Sequence, residues 1–297
     1  MNKKKLTLTG ILFLLALFAF TYISEKKPVE EKSISIEKAL NEGIVSAEFS
    51  GAGGHSGDVI DLELKSLIPV DTLIKIEAGR RLTSDDTLLQ DILIVRELEL
   101  FLAANEVKRL KLFGFCCQAS NGGPKLDSGF KVGFMEDSSF IYLARFLSKS
   151  NLPIGVMQSA IWVLSDNHAL NSIHNDNEKD RGKMKGLFGL LASIKGLEYK
   201  YPWYTLKYKT DTSRVFSGRP NQMFAEVEYY LSHQSNVDLF IKDSNNLLVK
   251  KIFMNRPHHR GEYNYRFTLD VANMPKGKYY LRLYADNQLK MLKEFEL

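Results

Sequence analysis

The feature that most constrains the fold is a repeated alternation of apolar and polar residues with a period of two. In GDVIDLELKSL (57–67), isoleucine and leucine alternate with aspartate and glutamate. Because successive side chains of a strand point to opposite faces of a sheet, this pattern is typical of strands with one buried face. Similar segments recur before Pro124 and again after Tyr199, which predicts a mainly β fold.

A helical period interrupts the strands in the middle of the chain. Asp137 or Ser138 is a plausible N-cap for a first helix, and Pro153 is suited to the start of a second. A third apolar stripe ends at Gly196. We therefore expect a helical subdomain attached to the first group of strands.

These patterns divide the chain into four parts. Residues 1–24 are predicted to be a signal peptide or an N-terminal anchor, and residues 25–42 a charged linker. Residues 43–198 are predicted to form an Ig-like β-sandwich with a helical cap, and residues 199–297 a second Ig-like β-sandwich, for which about a hundred residues is a typical size.

The first 24 residues predict export. Lys3, Lys4 and Lys5 precede an uncharged, mostly apolar run, as in a signal peptide, and the run is also long enough to span a bilayer. The remainder is expected in the periplasm, on the outer surface or in the medium, with membrane contact only through this segment. Without the leader the net charge of +5 falls by three to +2, so we expect no nucleic-acid partner.

The two cysteines are adjacent, and three interpretations of them remain open. In the first interpretation Cys116 and Cys117 each pack as a small apolar side chain on opposite faces of a strand. They could instead form a strained vicinal disulfide that acts as a redox switch. In the third interpretation Cys116 is a reactive thiol. No histidine spacing completes a metal site with them, so neither a metal nor a cofactor is predicted.

The segment QSAIW, which begins at Gln158 and ends at Trp162, resembles a motif of the thioester domains of bacterial surface adhesins. In that family a cysteine thiol and a glutamine carboxamide form an internal thioester, which a nucleophile on a host surface can attack. The resemblance implies Cys116 and Gln158 as the thioester pair, Cys117 as a neighbour, and Trp162 as a cover one helical turn away.

A related resemblance extends the motif to Ser165, Asp166 and Asn167. The pattern of a cysteine at a strand end, Q-x-A-I-W and S/T-D-N is similar to that of a wider set of exported bacterial domains, and it implies no activity. The structural alternative is that Trp162 fills the junction between sheet and helix, while Asp166 or Asn167 caps the helix end or the next turn.

A cysteine hydrolase is a third hypothesis. It would combine Cys116 with His168 and Asn167, and it requires the imidazole within hydrogen-bond reach of the sulfur.

The C-terminal part resembles the Ig-like C-terminal domains of secreted Bacteroidota proteins, which are type IX secretion sorting or hook-capping-like modules. The matching G-x-Y-x-L-x-L signature consists of Gly277, Tyr279, Leu281 and Leu283. Together these features predict an exported cell-envelope or surface binding protein, with a surface protein or a glycan as its ligand and with a possible covalent attachment. The alternative is a non-catalytic envelope module with a packed cysteine.

Overall fold

The computed structural model describes residues 33–209 and 215–297. The predicted leader and the first part of the predicted linker lie outside the described residues. The fold is mainly β with a helical subdomain, as the alternation and the interrupting helical period predicted.

In the part of the chain that the structure describes, the first unit contains nine strands and four α-helices. Its strands are β1 (Ile34–Ser35), β2 (Val45–Ala52), β3 (Ser56–Ser66), β4 (Thr72–Ile76), β5 (Arg80–Ser84), β6 (Ile92–Ile94), β7 (Leu98–Leu102), β8 (Val107–Cys116) and β9 (Leu126–Met135). Its helices are α1 (Ile36–Asn41), α2 (Ser138–Ser150), α3 (Ile154–Ser165) and α4 (Arg181–Ile194).

Six of these strands close into a barrel. The order around it is β2-β3-β8-β6-β5-β9, and β9 pairs back onto β2 through Phe130 and Phe49. This closure differs from the two stacked sheets expected for residues 43–198. Both arrangements leave the same period-two pattern, because each has one buried face per strand, so the alternation could not distinguish them.

The end of the predicted linker belongs to the folded unit, which corrects that prediction for residues 34–41. Strand β1 pairs with β4 in a small sheet of order β1-β4-β7, and Ser35 caps α1 by accepting a hydrogen bond from the Lys38 amide. Ile36 and Ala39 are fully buried in the core of the barrel. Their burial explains why a charged segment is ordered, since its few apolar residues all face inward.

The three longer helices cover one outer face of the barrel. Asp137 caps α2 through two main-chain amides, and Pro153 is the N-cap residue of α3, as predicted. The helices and the outward side chains of β6 and β8 share one apolar core, while the inward side chains of these strands belong to the core of the barrel. Strands β6 and β8 are thus buried on both faces at their shared end.

The second unit is the predicted two-sheet sandwich. Its strands are β10 (Tyr204–Tyr208), β11 (Pro220–Leu231), β12 (Ser235–Asp243), β13 (Leu248–His258), β14 (Gly261–Asp270), β15 (Lys278–Ala285) and β16 (Gln288–Glu296). They form a three-stranded sheet of order β10-β11-β14 and a four-stranded sheet of order β13-β12-β15-β16 around one apolar core.

Among residues 33–209 and 215–297, the helices are all too short or too polar to cross a membrane.

Candidate functional site at the Cys116 strand end

The Gln158 side chain binds the main chain of Cys116 at the end of β8. The Cys116 amide donates to Gln158 Oε1 at 3.1 Å, and Gln158 Nε2 donates to the Cys116 carbonyl at 2.8 Å. Gln158 lies on α3 and is 2 % exposed, while Cys116 is fully buried. The carboxamide therefore satisfies its polar groups in a dry environment by adding itself to the strand.

The register of the barrel explains this position. Strand β3 pairs with β8 up to the Ser56–Phe115 pair, and the Cys116 amide also donates to the carbonyl of His55 at 3.1 Å. Because β3 begins at Ser56, the Gln158 side chain shares the Cys116 amide with the His55 carbonyl and alone bonds to the Cys116 carbonyl. Gly114 permits the close approach of β6, because a Cβ there would lie 2.8 Å from the Leu93 carbonyl oxygen.

The two cysteine side chains lie on opposite faces of the strand, as expected for neighbours in sequence. Cys116 packs in the interior of the barrel and Cys117 packs among the helices. Both thiols are free and buried. Burial raises the pKa of the Cys116 thiol well above its ordinary value, and it raises the pKa of Cys117 to about 12. Each thiol is therefore protonated at neutral pH.

The loop after Cys117 is held by polar side chains from three directions. The Gln118 amide donates to Gln90 Oε1 at 3.0 Å, and Gln118 Oε1 accepts from the Asp91 amide at 2.7 Å. The Ala119 amide donates to Asp166 Oδ1 at 2.8 Å. Asp166 thus ties the end of α3 to the cysteine loop rather than only capping a helix.

Gln90 and Gln118 were not singled out from the sequence. Gln90 is fully buried, and its position beside the apolar run LLQDILIV is a signal for a satisfied core amide. The identity of its partner depends on the pairing of β6 with β8, which the sequence alone does not specify.

Trp162 and His168 pack against each other near the C-terminal end of α3. The Trp162 ring centroid is 6.2 Å from that of His168 and 5.4 Å from that of Phe216. The buried Trp162 Nε1 has no hydrogen-bond partner within the described ranges. Asn167 adopts a positive φ of 54° and accepts a hydrogen bond from Lys195.

The hydrolase arrangement has no direct support in these contacts. Burial lowers the pKa of His168, and its ring packs on Phe216 at a centroid distance of 4.5 Å. Within residues 33–209 and 215–297, no hydrogen bond joins His168 to Cys116. The same residues contain no cluster of three His, Cys, Asp or Glu side chains suited to a metal ion.

The Cys116–Gln158 contact has chemical consequences for the carboxamide. A main-chain N–H that donates to Oε1 polarises the carbonyl and stabilises negative charge that develops on this oxygen when a nucleophile attacks. Exclusion of water protects an electrophile formed there from hydrolysis. The site thus brings a carboxamide and a fixed main-chain donor together at the buried residue that carries the thiol.

No known family model matches this chain, and no curated protein sequence matches it.

Proposed function

We propose that this chain is an exported cell-envelope or surface binding protein in which Cys116 and Gln158 form an internal thioester. The observation that carries the proposal is the pair of hydrogen bonds between the Gln158 carboxamide and the Cys116 main chain. These bonds hold the carboxamide beside the residue that carries the thiol.

Formation of the thioester requires no reactant other than the Cys116 thiol and the Gln158 carboxamide. The Cys116 sulfur bonds to Gln158 Cδ, the bond from Cδ to Nε2 breaks, and the thiol proton leaves with the nitrogen as ammonia. The Cys116 amide stabilises charge on Oε1 during this step. Attack by a primary amine then forms an amide at Cδ and restores the thiol, which attaches the protein covalently to its target.

A non-covalent function is the second candidate, and a specific observation favours it. The Cys116 side chain packs with the apolar residues of the barrel interior, and both polar atoms of the carboxamide already hydrogen-bond to the main chain. In this account Gln158 is a structural bridge between α3 and β8, and the protein binds its ligand without a covalent step.

Capture of a small amine separates the two candidates. The protein, expressed with its own leader and purified without amines, is incubated with methylamine and analysed by peptide mass spectrometry. A thioester predicts that the Gln158 peptide gains about 14 Da, the difference between methylamide and amide. Cys117→Ala should retain the label and Cys116→Ala should lose it. An unlabelled Gln158 in the wild type, with the protein folded, contradicts the covalent proposal and favours the structural bridge.

The C-terminal sandwich is proposed to serve as a docking or sorting module of the exported protein. Its two sheets around one core support this role, together with the G-x-Y-x-L-x-L signature that starts at Gly277 and continues along β15. Deletion of this unit should leave an otherwise exported protein in the periplasm if it directs sorting. Surface delivery without the unit would contradict this role.

A further inference from the structure

A second candidate site lies in a cleft between the helical subdomain and the C-terminal sandwich. The cleft has a volume of about 410 Å³, which is within the usual range for small-molecule sites. It is lined by residues 173–178, Arg181, Met184, residues 201–205 and the paired segments 224–226 of β11 and 266–268 of β14. It shares no residue with the Cys116–Gln158 site.

The charges that line the cleft are paired across the two units. Arg181 of α4 donates to Glu226 of β11 at 2.7 Å. Arg266 of β14 bonds to Glu226 at 3.1 Å and also to Glu178 of the helical subdomain. These cross-links hold the two walls of the cleft together and pre-form its shape before a ligand arrives.

The same pairing makes the cleft electrically balanced. Asp176 bonds to His174 of the lining at 2.6 Å and to Lys207, just outside the lining, at 3.2 Å. Each of the three carboxylates of the lining therefore already has a partner. An anionic ligand would have to displace Glu226 from its arginines, and a cationic ligand would have to displace the arginines from Glu226. Glu226 is the most buried of the three carboxylates, so either displacement leaves a partly buried charge without its partner. The balance therefore favours a neutral ligand.

Aromatic rings form the other part of the lining. Tyr201, Trp203 and Phe267 line the cleft and are only partly buried. Rings of this kind stack on flat apolar surfaces, while nearby carboxylates keep unused lone pairs that accept hydrogen bonds from hydroxyl groups. Exposed Asn177 and Thr268 add further polar groups.

We infer that this cleft binds a neutral oligosaccharide. A sugar ring has an apolar face for the aromatic side chains and a rim of hydroxyl groups for the paired carboxylates, guanidinium groups and amides. The inference does not depend on the thioester, since no covalent step is involved and the residues are different. A negative result for the thioester therefore does not affect the test of the cleft, and a negative result for the cleft does not affect the test of the thioester.

Calorimetry with a defined panel of hexasaccharides tests the inference on the wild-type protein. The neutral probes are maltohexaose, cellohexaose, mannohexaose and chitin hexamer, and the charged probes are hexagalacturonic acid and chitosan hexamer. We expect measurable binding of at least one neutral probe and weaker or no binding of both charged probes. A panel in which no neutral probe binds, or in which a charged probe binds most tightly, overturns the inference.

Two substitutions then locate the site. Tyr201→Ala removes an aromatic surface and Arg266→Gln removes a guanidinium group. Each substitution should lower the affinity for the neutral probe by about tenfold. The matched controls Tyr199→Ala and Arg260→Gln alter exposed residues outside the lining and should leave the affinity within about twofold. Melting curves show that each variant is folded. Unchanged affinity in both folded cleft variants places the sugar elsewhere and contradicts the inference.

Discussion

The side-chain amide of Gln158 forms with Cys116 both of the hydrogen bonds that a neighbouring strand residue would form. Its oxygen accepts from the Cys116 amide at 3.1 Å and its nitrogen donates to the Cys116 carbonyl at 2.8 Å. One helix residue thereby completes the edge of a β-strand. The chemistry proposed for the thiol and the carboxamide depends on this arrangement.

Asp166 should stabilise the cysteine loop. Its carboxylate accepts from the Ala119 amide at 2.8 Å and from the Ser165 hydroxyl at 2.6 Å. Asp166→Ala leaves the Ala119 amide without this partner and should lower the free energy of unfolding by about 1–3 kcal/mol. Urea unfolding measures the change. The control Asp58→Ala, at an exposed strand position, should change it by less than about 0.5 kcal/mol. Equal effects of the two variants would show that Asp166 has no special role.

Gly114 should tolerate no side chain. A Cβ at this position would lie 2.6 Å from Ile92 Cγ2 and 2.8 Å from the Leu93 carbonyl oxygen. Because the second contact is with main chain, Gly114→Ala should separate β6 from β8 and cost about 1–3 kcal/mol of unfolding free energy.

The matched control is Gly189→Ala on α4. A Cβ there meets no atom within 4 Å, and alanine has a higher helix propensity than glycine. This variant should be neutral or more stable by up to about 1 kcal/mol. Thermal melting compares the two variants. A destabilised Gly189→Ala with an unaffected Gly114→Ala would contradict the packing described here.

Acid should weaken the contact between the two units through Glu226. Partial burial raises the pKa of this carboxyl, but hydrogen bonds from Arg181, Asn264 and Arg266 outweigh it and lower the pKa to about 2. Because this value lies below the ordinary 4.5, the stabilisation is complete above pH 4.5 and is lost as the pH falls towards 2.

Denaturant unfolding of the wild type and of Glu226→Gln between pH 6 and pH 2.5 measures this effect. At pH 6 the free energy of unfolding of Glu226→Gln should be lower than that of the wild type. The difference between the two free energies should narrow as the pH falls towards 2.5. Glu262→Gln, at an exposed position of β14, serves as the control and should show no such trend. A difference between wild type and Glu226→Gln that stays constant with pH would contradict the assignment.

The sequence was sufficient for the class of fold but not for its closure. Alternation predicts which side chains of β3 and β8 are buried. It reports on one strand at a time, so it does not predict which strands pair with each other. The barrel depends on the pairing of Phe49 with Phe130, which are distant in the chain, and such a pairing leaves no local signal. The charged residues before position 43 likewise predict a linker, although Ile36 and Ala39 are buried.

At the site, the sequence indicated which residues come together but not which of their atoms are in contact. A resemblance pointed to Cys116 and Gln158, and these two residues are in contact. It did not predict that the contact is to the main chain, nor that Gln90 and Asp166 hold the adjoining loop. Those interactions arise from the docking of α3 on the barrel, which depends on the whole apolar core between them.

The most direct test of the covalent proposal is the intact mass of the protein purified without reductant or amines. Compared with the mass calculated for the same N-terminus, the account predicts a loss of about 17 Da, which corresponds to one ammonia. The loss should persist in Cys117→Ala and disappear in Cys116→Ala and Gln158→Ala. An unmodified mass, or a loss of about 2 Da from a disulfide between the two cysteines, would contradict the thioester.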